Sequence, residues 1–294
     1  MAYSVKPRDE TAQAALRRIA RSQIGRAIAE IDASGLSRNE VVHRVRRRTK
    51  KLRALLRLVR PRFGRHALER AAFREMAGLL APSRDETVTG KILKKLSGAL
   101  TMGVLPDDVE RVRPFIGGDV HAKAAADVGA ALVAVRERLR VARERTAVWT
   151  VDACGMGTFA DGFELSYRRA RKAMAAAEAE PVAERLHEWR KRVKDHSYHR
   201  SLLRRVLPRK LWAGRAQFDA LGELLGDLND LVMLRERICA ADDALPNAAR
   251  MRLLAAIDGQ AHALTARSFD AGAGLFRRKP KAVARNVRRR LAAI

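Results

Sequence analysis

Cysteine is nearly absent. The 294-residue chain has two, Cys154 and Cys239, far apart and outside any metal-ligand spacing. That excludes a disulfide-stapled scaffold and a cysteine zinc site, and it fits a reduced, cytoplasmic protein. Aromatic residues make up only 5%, so the core must be built from Leu, Ala and Val, which suits helices better than a β-sandwich. With three Tyr and three Trp, the chain is also poor in platforms for stacking nucleobases. It has no run of about 18 apolar residues and no N-terminal apolar segment of signal-peptide form, so no membrane span is expected. No Gly-rich loop ends in Gly-Lys-Ser/Thr, which excludes P-loop chemistry. The last shortage is of acids: 33 Asp and Glu stand against 60 Lys and Arg, a formal charge of +27. Such an excess repels itself unless an anionic partner offsets it. Nucleic acid, an anionic membrane and polyphosphate are the candidates.

The shortage is sharpest between Glu40 and Glu69, where no acid occurs. Here lies Val41–Arg65, VVHRVRRRTKKLRALLRLVRPRFGR. Val45, Leu52, Leu56 and Val59 recur at helical spacing, with Thr49 filling the gap in the row. His43, Arg46, Lys50, Arg53 and Arg57 form a second row, about 120° around the helix. One helix can therefore dock on a core and still aim a row of cations elsewhere. About 20 residues make a rod of roughly 30 Å, long enough to follow an extended polyanion.

The pattern returns about 145 residues later in Leu186–Leu203, LHEWRKRVKDHSYHRSLL. Val42-His43 matches Leu186-His187, Arg46 matches Arg190, Arg48 matches Arg192 and Lys50 matches Lys194. A second landmark keeps nearly the same offset: Leu79–Asp85 matches Leu224–Asp230. Two coincidences in the same order argue for an internal duplication. The second copy departs from the first at Asp195, where the first has Lys51, and at Ser197, where it has Arg53.

These residues resemble the CHAD family, the conserved histidine α-helical domain. Its signatures are a His-x-x-Arg-x-x-x-Lys/Arg helix and a following Leu-Gly-x-x-x-Asp segment, each present twice. His187-Glu188-Trp189-Arg190-Lys191-Arg192-Val193-Lys194 carries the first, and Leu225-Gly226-Asp227-Leu228-Asn229-Asp230 the second. The resemblance implies an all-α fold of two pseudo-twofold-related helical-bundle halves with a basic central cavity that binds inorganic polyphosphate. One domain would span residues 1–294, with halves at about 9–150 and 159–294. It implies no catalytic residues, no metal and no cofactor, and a place at polyphosphate granules.

The candidate ligands follow. Arg46, Arg190, Lys50 and Lys194 lead, because Arg offers a planar fork to phosphate and Lys a mobile point charge. His43 and His187 hold matching places on the cationic row, as anion contacts or as structural histidines. Arg47, Lys51, Arg53, Arg57 and Lys191 extend the set, although Arg44, Arg48 and Lys51 fall on the far side of the apolar row from His43 and some cations must face solvent. The family lines its cavity from the preceding helix too, which adds Arg17, Arg18 and Arg21 and, in the second copy, Tyr167, Arg168, Arg171 and Lys172.

The rest reads as helices: 9–31, a capped helix from Ser37 to Pro61, 65–80, a fourth from Ser83 to about 100, 121–149, 161–179 and 181–206. Then come 211–225 and 228–241 as a pair, 246–269, a break at Gly272-Ala273-Gly274, and 280–293. Residues 1–8 read as a loose start and 152–158 as the seam between halves. His196 falls on the apolar row with Trp189 and Val193, so it reads as a core residue despite the His196-x-x-His199 spacing. Asp85, Asp227, Asn229 and Asp230 read as helix caps rather than a metal cluster.

Two rivals remain. Nonspecific nucleic-acid binding needs only the charge. A phosphohydrolase needs more, and the Glu-x-Glu-x-Lys motif of the triphosphate-tunnel enzymes is missing. Phosphate release from polyphosphate, lost in Arg46→Ala, would establish it. If His43 and His187 are ligands, polyanion affinity rises as pH falls through the histidine range. Affinity that stays flat from mildly acid to mildly basic pH excludes them.

Overall fold

The computed structural model describes residues 3–80, 105, 107–108, 110–111, 121–152, 155–207, 211, 214–240 and 246–293. Among these the regular structure is helical and no strand occurs. The fourth expected helix, Asp85 and Cys154 lie outside the described residues.

Helix α1 (Ala12–Asp32) starts at Thr11, whose hydroxyl accepts from the Ala14 amide. Helix α2 (Arg38–Val59) starts with the expected capping box of Ser37 and Glu40 and gives way to a 3-10 turn at Arg60–Arg62, where Pro61 cannot continue the ladder. The predicted row Val45, Thr49, Leu52, Leu56 and Val59 is buried. Thr49 fills its place by donating to the Val45 carbonyl at 3.1 Å. Then come α3 (His66–Leu79), α4 (His121–Arg145) and a 3-10 turn at Thr146–Val148. The second half holds α5 (Gly157–Ala179), α6 (Ala183–Leu203), α7 (Arg215–Ala240), α8 (Asn247–Phe276) and α9 (Pro280–Ala292).

Neighbours in sequence are neighbours in space. Helix α1 lies on α2 and α2 on α3, while α4 returns to α1. In the second half α5 lies on α6, α6 on α7 and α7 on α8, while α9 returns to α5. Helix α2 crosses both α5 and α6, and the buried apolar side chains of both halves form one connected cluster.

Two expected breaks do not occur, for one reason. The pair expected at 211–225 and 228–241 is the single helix α7, and α8 runs straight through Gly272. Glycine at these places makes room for a neighbour rather than ending a helix. A Cβ on Gly272 would come within 2.8 Å of both Trp189 and Met174. Asp227, Asn229 and Asp230 therefore sit inside a helix and cap nothing.

Residues 3–9 are not loose either. The Val5 amide donates to the Leu202 carbonyl at 2.8 Å, and Val5 is fully buried. The Tyr3 hydroxyl donates to the Lys51 carbonyl at 3.1 Å. The segment straps the end of α6 to the middle of α2.

The tightest approach at a glycine among the described residues joins α5 to α2. At Gly162 of α5 an added Cβ would stand 1.6 Å from the carbonyl oxygen of Leu58 in α2. Backbone lies on backbone, which only glycine permits. Gly162→Ala should cost at least ~2 kcal/mol, because helix backbone rather than a flexible side chain must move. An unchanged denaturation midpoint would contradict this crossing.

Candidate functional site

The signature helix α6 is fitted to α7 by a regular ladder. His187 Nδ1 hydrogen-bonds the Asn229 side-chain oxygen, and the Ser197 hydroxyl donates to Asp219. Between these rungs Arg190 lies over Gly226 and Lys194 over Gly222. A Cβ on Gly222 would meet Lys194 Cε and Nζ at 3.0 Å, and one on Gly226 would meet Arg190 Nε at 3.6 Å. Glycines one turn apart thus form a notch that beds the stems of cations one turn apart. On α2 the matching Arg46 donates to the Leu80 carbonyl.

Lys194 emerges from this notch into a cleft of about 410 Å³. One wall is Gln23 and Arg26 of α1 with Arg48 and Lys51 of α2; the other is Lys194, Ser197, Tyr198 and Ser201 of α6 with Arg215 and Asp219 of α7. Tyr3 and Arg204 complete the lining. Arg48 is held by Glu30 at 2.6 Å, and Arg215 by Asp219 at 3.3 Å. Among the described residues, Arg26, Lys51, Lys194 and Arg204 have no carboxylate at ion-pair distance.

Crowding marks the electrostatics. Burial pulls the Lys51 pKa below its ordinary value, and Arg48, Arg47 and Arg26 add to the shift by repulsion. Burial and Arg190 pull Lys194 down in the same way. An anion among these groups reverses the repulsive part of each shift. The Lys51 ammonium also lies 5.0 Å from the centre of the Tyr3 ring. That ring is covered and offers no face for stacking.

The structure brings together some expected ligands and separates others. Lys51 and Lys194 meet in the cleft. Arg190 sits one turn before Lys194 on the same row. His43, Arg47 and Lys50 are exposed on α2, and Arg171 and Lys172 on α5. Arg53 and Arg57 are not part of the cleft lining, and Arg57 is bonded to Asp195 at 2.7 Å. Arg168 lines a separate shallow depression with Arg60, Arg62 and Arg169, edged by Asp161 and Glu164. Lys191 is paired with Glu188 at 2.9 Å. His187 borders a mostly apolar pocket of about 340 Å³ with Leu186, Leu225, Leu228 and Met233.

Four expected ligands are engaged inside the fold. Arg17 donates to the Trp149 carbonyl at 2.8 Å and Arg21 to the Thr146 hydroxyl at 3.0 Å. Arg18 pairs with Asp9 at 2.7 Å. The Tyr167 hydroxyl lies 3.0 Å from the Leu275 carbonyl and 3.1 Å from that of Arg278, at the end of α8. Conversely, Arg26, Arg48, Arg204 and Arg215 were not foreseen in the cleft. Cations flank both sides of the α2 apolar row, and helical periodicity does not say which flank meets α6.

Neither histidine of the His196-x-x-His199 pair reaches the cleft. His196 is fully buried among Phe163, Tyr167 and Phe218, with Nδ1 2.8 Å from the Ser166 hydroxyl. His199 Nε2 donates to the Ala54 carbonyl at 2.9 Å, binding α6 to α2. Burial pushes the His199 pKa down to about 3, with Arg57 adding to the shift, and burial likewise pushes His196 down.

The fold is all-helical, with a cation-lined cleft where the signature helices α2 and α6 meet. The family can be stated as well: a sequence model of the CHAD domain matches residues 18–239, so the chain belongs to that family. In three dimensions it is similar to the crystal structure of the CHAD domain from the plant Ricinus communis. The TM-score is 0.57 at 18% sequence identity, over 100% of this chain and 96% of that one. That likeness speaks to the fold. Comparison with curated proteins finds no match. No helix among the described residues is long and apolar enough to cross a membrane.

The buried histidines set an acid limit on stability. His199 is neutral when folded, with a pKa near 3, whereas an unfolded histidine titrates near 6.5. Below about pH 6.5 the unfolded chain binds the proton first, so stability is complete above that pH and is lost as pH falls toward 3. His199 alone contributes a slope of up to about 1.4 kcal/mol per pH unit. Unfolding free energy measured from pH 7 to 4 should decline, and less steeply in His199→Asn. A flat profile would contradict the buried, neutral assignment.

Proposed function

We propose that the cleft binds inorganic polyphosphate, with cations from both halves gripping one stretch of the chain. The carrying observation is the lining: Arg26 and Lys51 from one half, Lys194 and Arg204 from the other, none with a carboxylate at ion-pair distance among the described residues. Phosphate oxygens accept charge-assisted hydrogen bonds from such groups. A linear polyanion fits a narrow cleft, whereas a duplex of fixed diameter reaches only its rim. The CHAD family is associated with polyphosphate, which agrees with this lining. We read the two repeated signature segments as pseudo-twofold-related halves and the cleft as the basic cavity of their junction.

Nucleic acid is less well served. Tyr3 is covered by Lys51, and Tyr198 is half-buried in the wall, so the lining has no open aromatic platform among the described residues. A binding role fits better than turnover. Asp219, the carboxylate of the lining, is held by Ser197 and Arg215 and is poorly placed to act as a base. A cytoplasmic place at polyphosphate granules goes with this reading.

One titration separates the partners. Long-chain polyphosphate should displace DNA and a heparin-like polymer at matched charge concentration, and they should not displace it. Lys51→Ala and Lys194→Ala should each weaken polyphosphate binding about tenfold, the scale of one charge-assisted hydrogen bond. Arg138→Ala, outside the cleft, should change it little. DNA that competes equally, or lysine variants that bind like the parent, would overturn the reading.

A further inference from the structure

Across the helix crossing from the cleft lies a crevice lined by Arg57 of α2, Gly162, Ser166 and Arg169 of α5, and Arg192, Asp195 and His199 of α6. Its lining repeats the cleft with the two signature helices exchanged. Arg48 and Lys51 of α2 face the cleft, and their counterparts Arg192 and Asp195 of α6 face the crevice. Ser201 of α6 faces the cleft, while Arg57, which matches it, binds Asp195. The difference is one of sign: Asp195 stands where the first copy has Lys51.

That carboxylate lies between two guanidinium groups. Arg57 Nη2 binds Asp195 at 2.7 Å, and Arg192 Nη1 lies 3.6 Å from it. Arg53 is close enough for mutual electrostatic influence. Arg192 is shared with Glu188 at 2.7 Å. The Nε groups of Arg53 and Arg57 are buried without a hydrogen-bond acceptor. A planar carboxylate offers two oxygens to guanidinium forks that approach from different sides, whereas a phosphate offers three or four. The free volume of the crevice, about 10 Å³, is that of roughly one water, so the carboxylate fills the space an anion would need.

We propose that the crevice is a second phosphate site, plugged from within by Asp195, whose carboxylate occupies the place of a phosphate group among Arg57, Arg169 and Arg192. The proposal extends the polyphosphate reading of the cleft and rests on it. Asp195 limits the chain to one side of the crossing, and its removal opens a second track for the same ligand class.

The test uses tripolyphosphate as probe and the full chain. Calorimetric titration should give one equivalent for the parent protein and two for Asp195→Asn. The melting temperature of Asp195→Asn should lie below the parent's in buffer and recover a larger shift on adding tripolyphosphate. In Asp195→Asn/Lys194→Ala the cleft equivalent should weaken about tenfold and the new one remain. Equal stoichiometry and equal ligand-induced shifts in parent and Asp195→Asn would overturn the plug and leave the cleft reading standing. No binding of tripolyphosphate or long-chain polyphosphate to either protein would overturn both. If Asp195→Asn folds only when tripolyphosphate is present, the anion is replacing the carboxylate; failure to fold even then overturns the proposal.

Discussion

The close crossing of α5 over α2, Gly162 on the Leu58 carbonyl, is the constraint on which the rest depends. Without a side chain between the two backbones, α6 is drawn against α2 as well. Two helices dense in Arg and Lys then lie side by side, which Coulomb repulsion opposes. Apolar burial and three specific ties oppose the repulsion. His199 bonds the Ala54 carbonyl, Asp195 bonds Arg57, and Val5 bonds the Leu202 carbonyl while Tyr3 reaches Lys51. None of these ties consumes the cations of the cleft.

The result is a preorganised site. Lys194 is bedded in the notch at Gly222, and Lys51 is held against Tyr3, so neither needs much reordering to meet a ligand. Their neighbours keep them partly desolvated and mutually repelled, which favours entry of an anion. Elsewhere some arginines are satisfied inside the fold. Arg145 holds the buried Glu69 at 2.9 Å, and Arg252 holds the buried Asp108 at 2.7 Å. The acids are few, and many are spent on joints between helices rather than on the cleft.

Part of this was legible in the sequence. The apolar row of α2, its capping box and the signature residues are local patterns, and periodicity and spacing reveal them directly. What was not legible depends on distant partners. Gly226 and Gly272 look like helix breakers until Arg190 and Trp189 are seen lying on them. Arg17 and Arg21 look like cavity cations until Trp149 and Thr146 take them up, more than a hundred residues away in the chain. Arg48 looks solvated because periodicity fixes its angle on α2 and says nothing of α6 beyond it. Val5, one apolar residue among polar ones, gives no periodic signal at all. The departure at Asp195 was visible as a change of charge, but its place opposite Arg57 was not.

The central claim is that helices from both halves hold a single phosphate chain at once. The salt dependence of polyphosphate affinity measures this most directly, because each cation that neutralises a phosphate contributes about 0.7 to the slope of log K against log salt for a single-stranded polyanion. The account predicts that Lys51→Ala and Lys194→Ala each lower the slope by about that amount, and that the double variant loses the sum. A slope that responds to substitutions on only one of the two helices would contradict it.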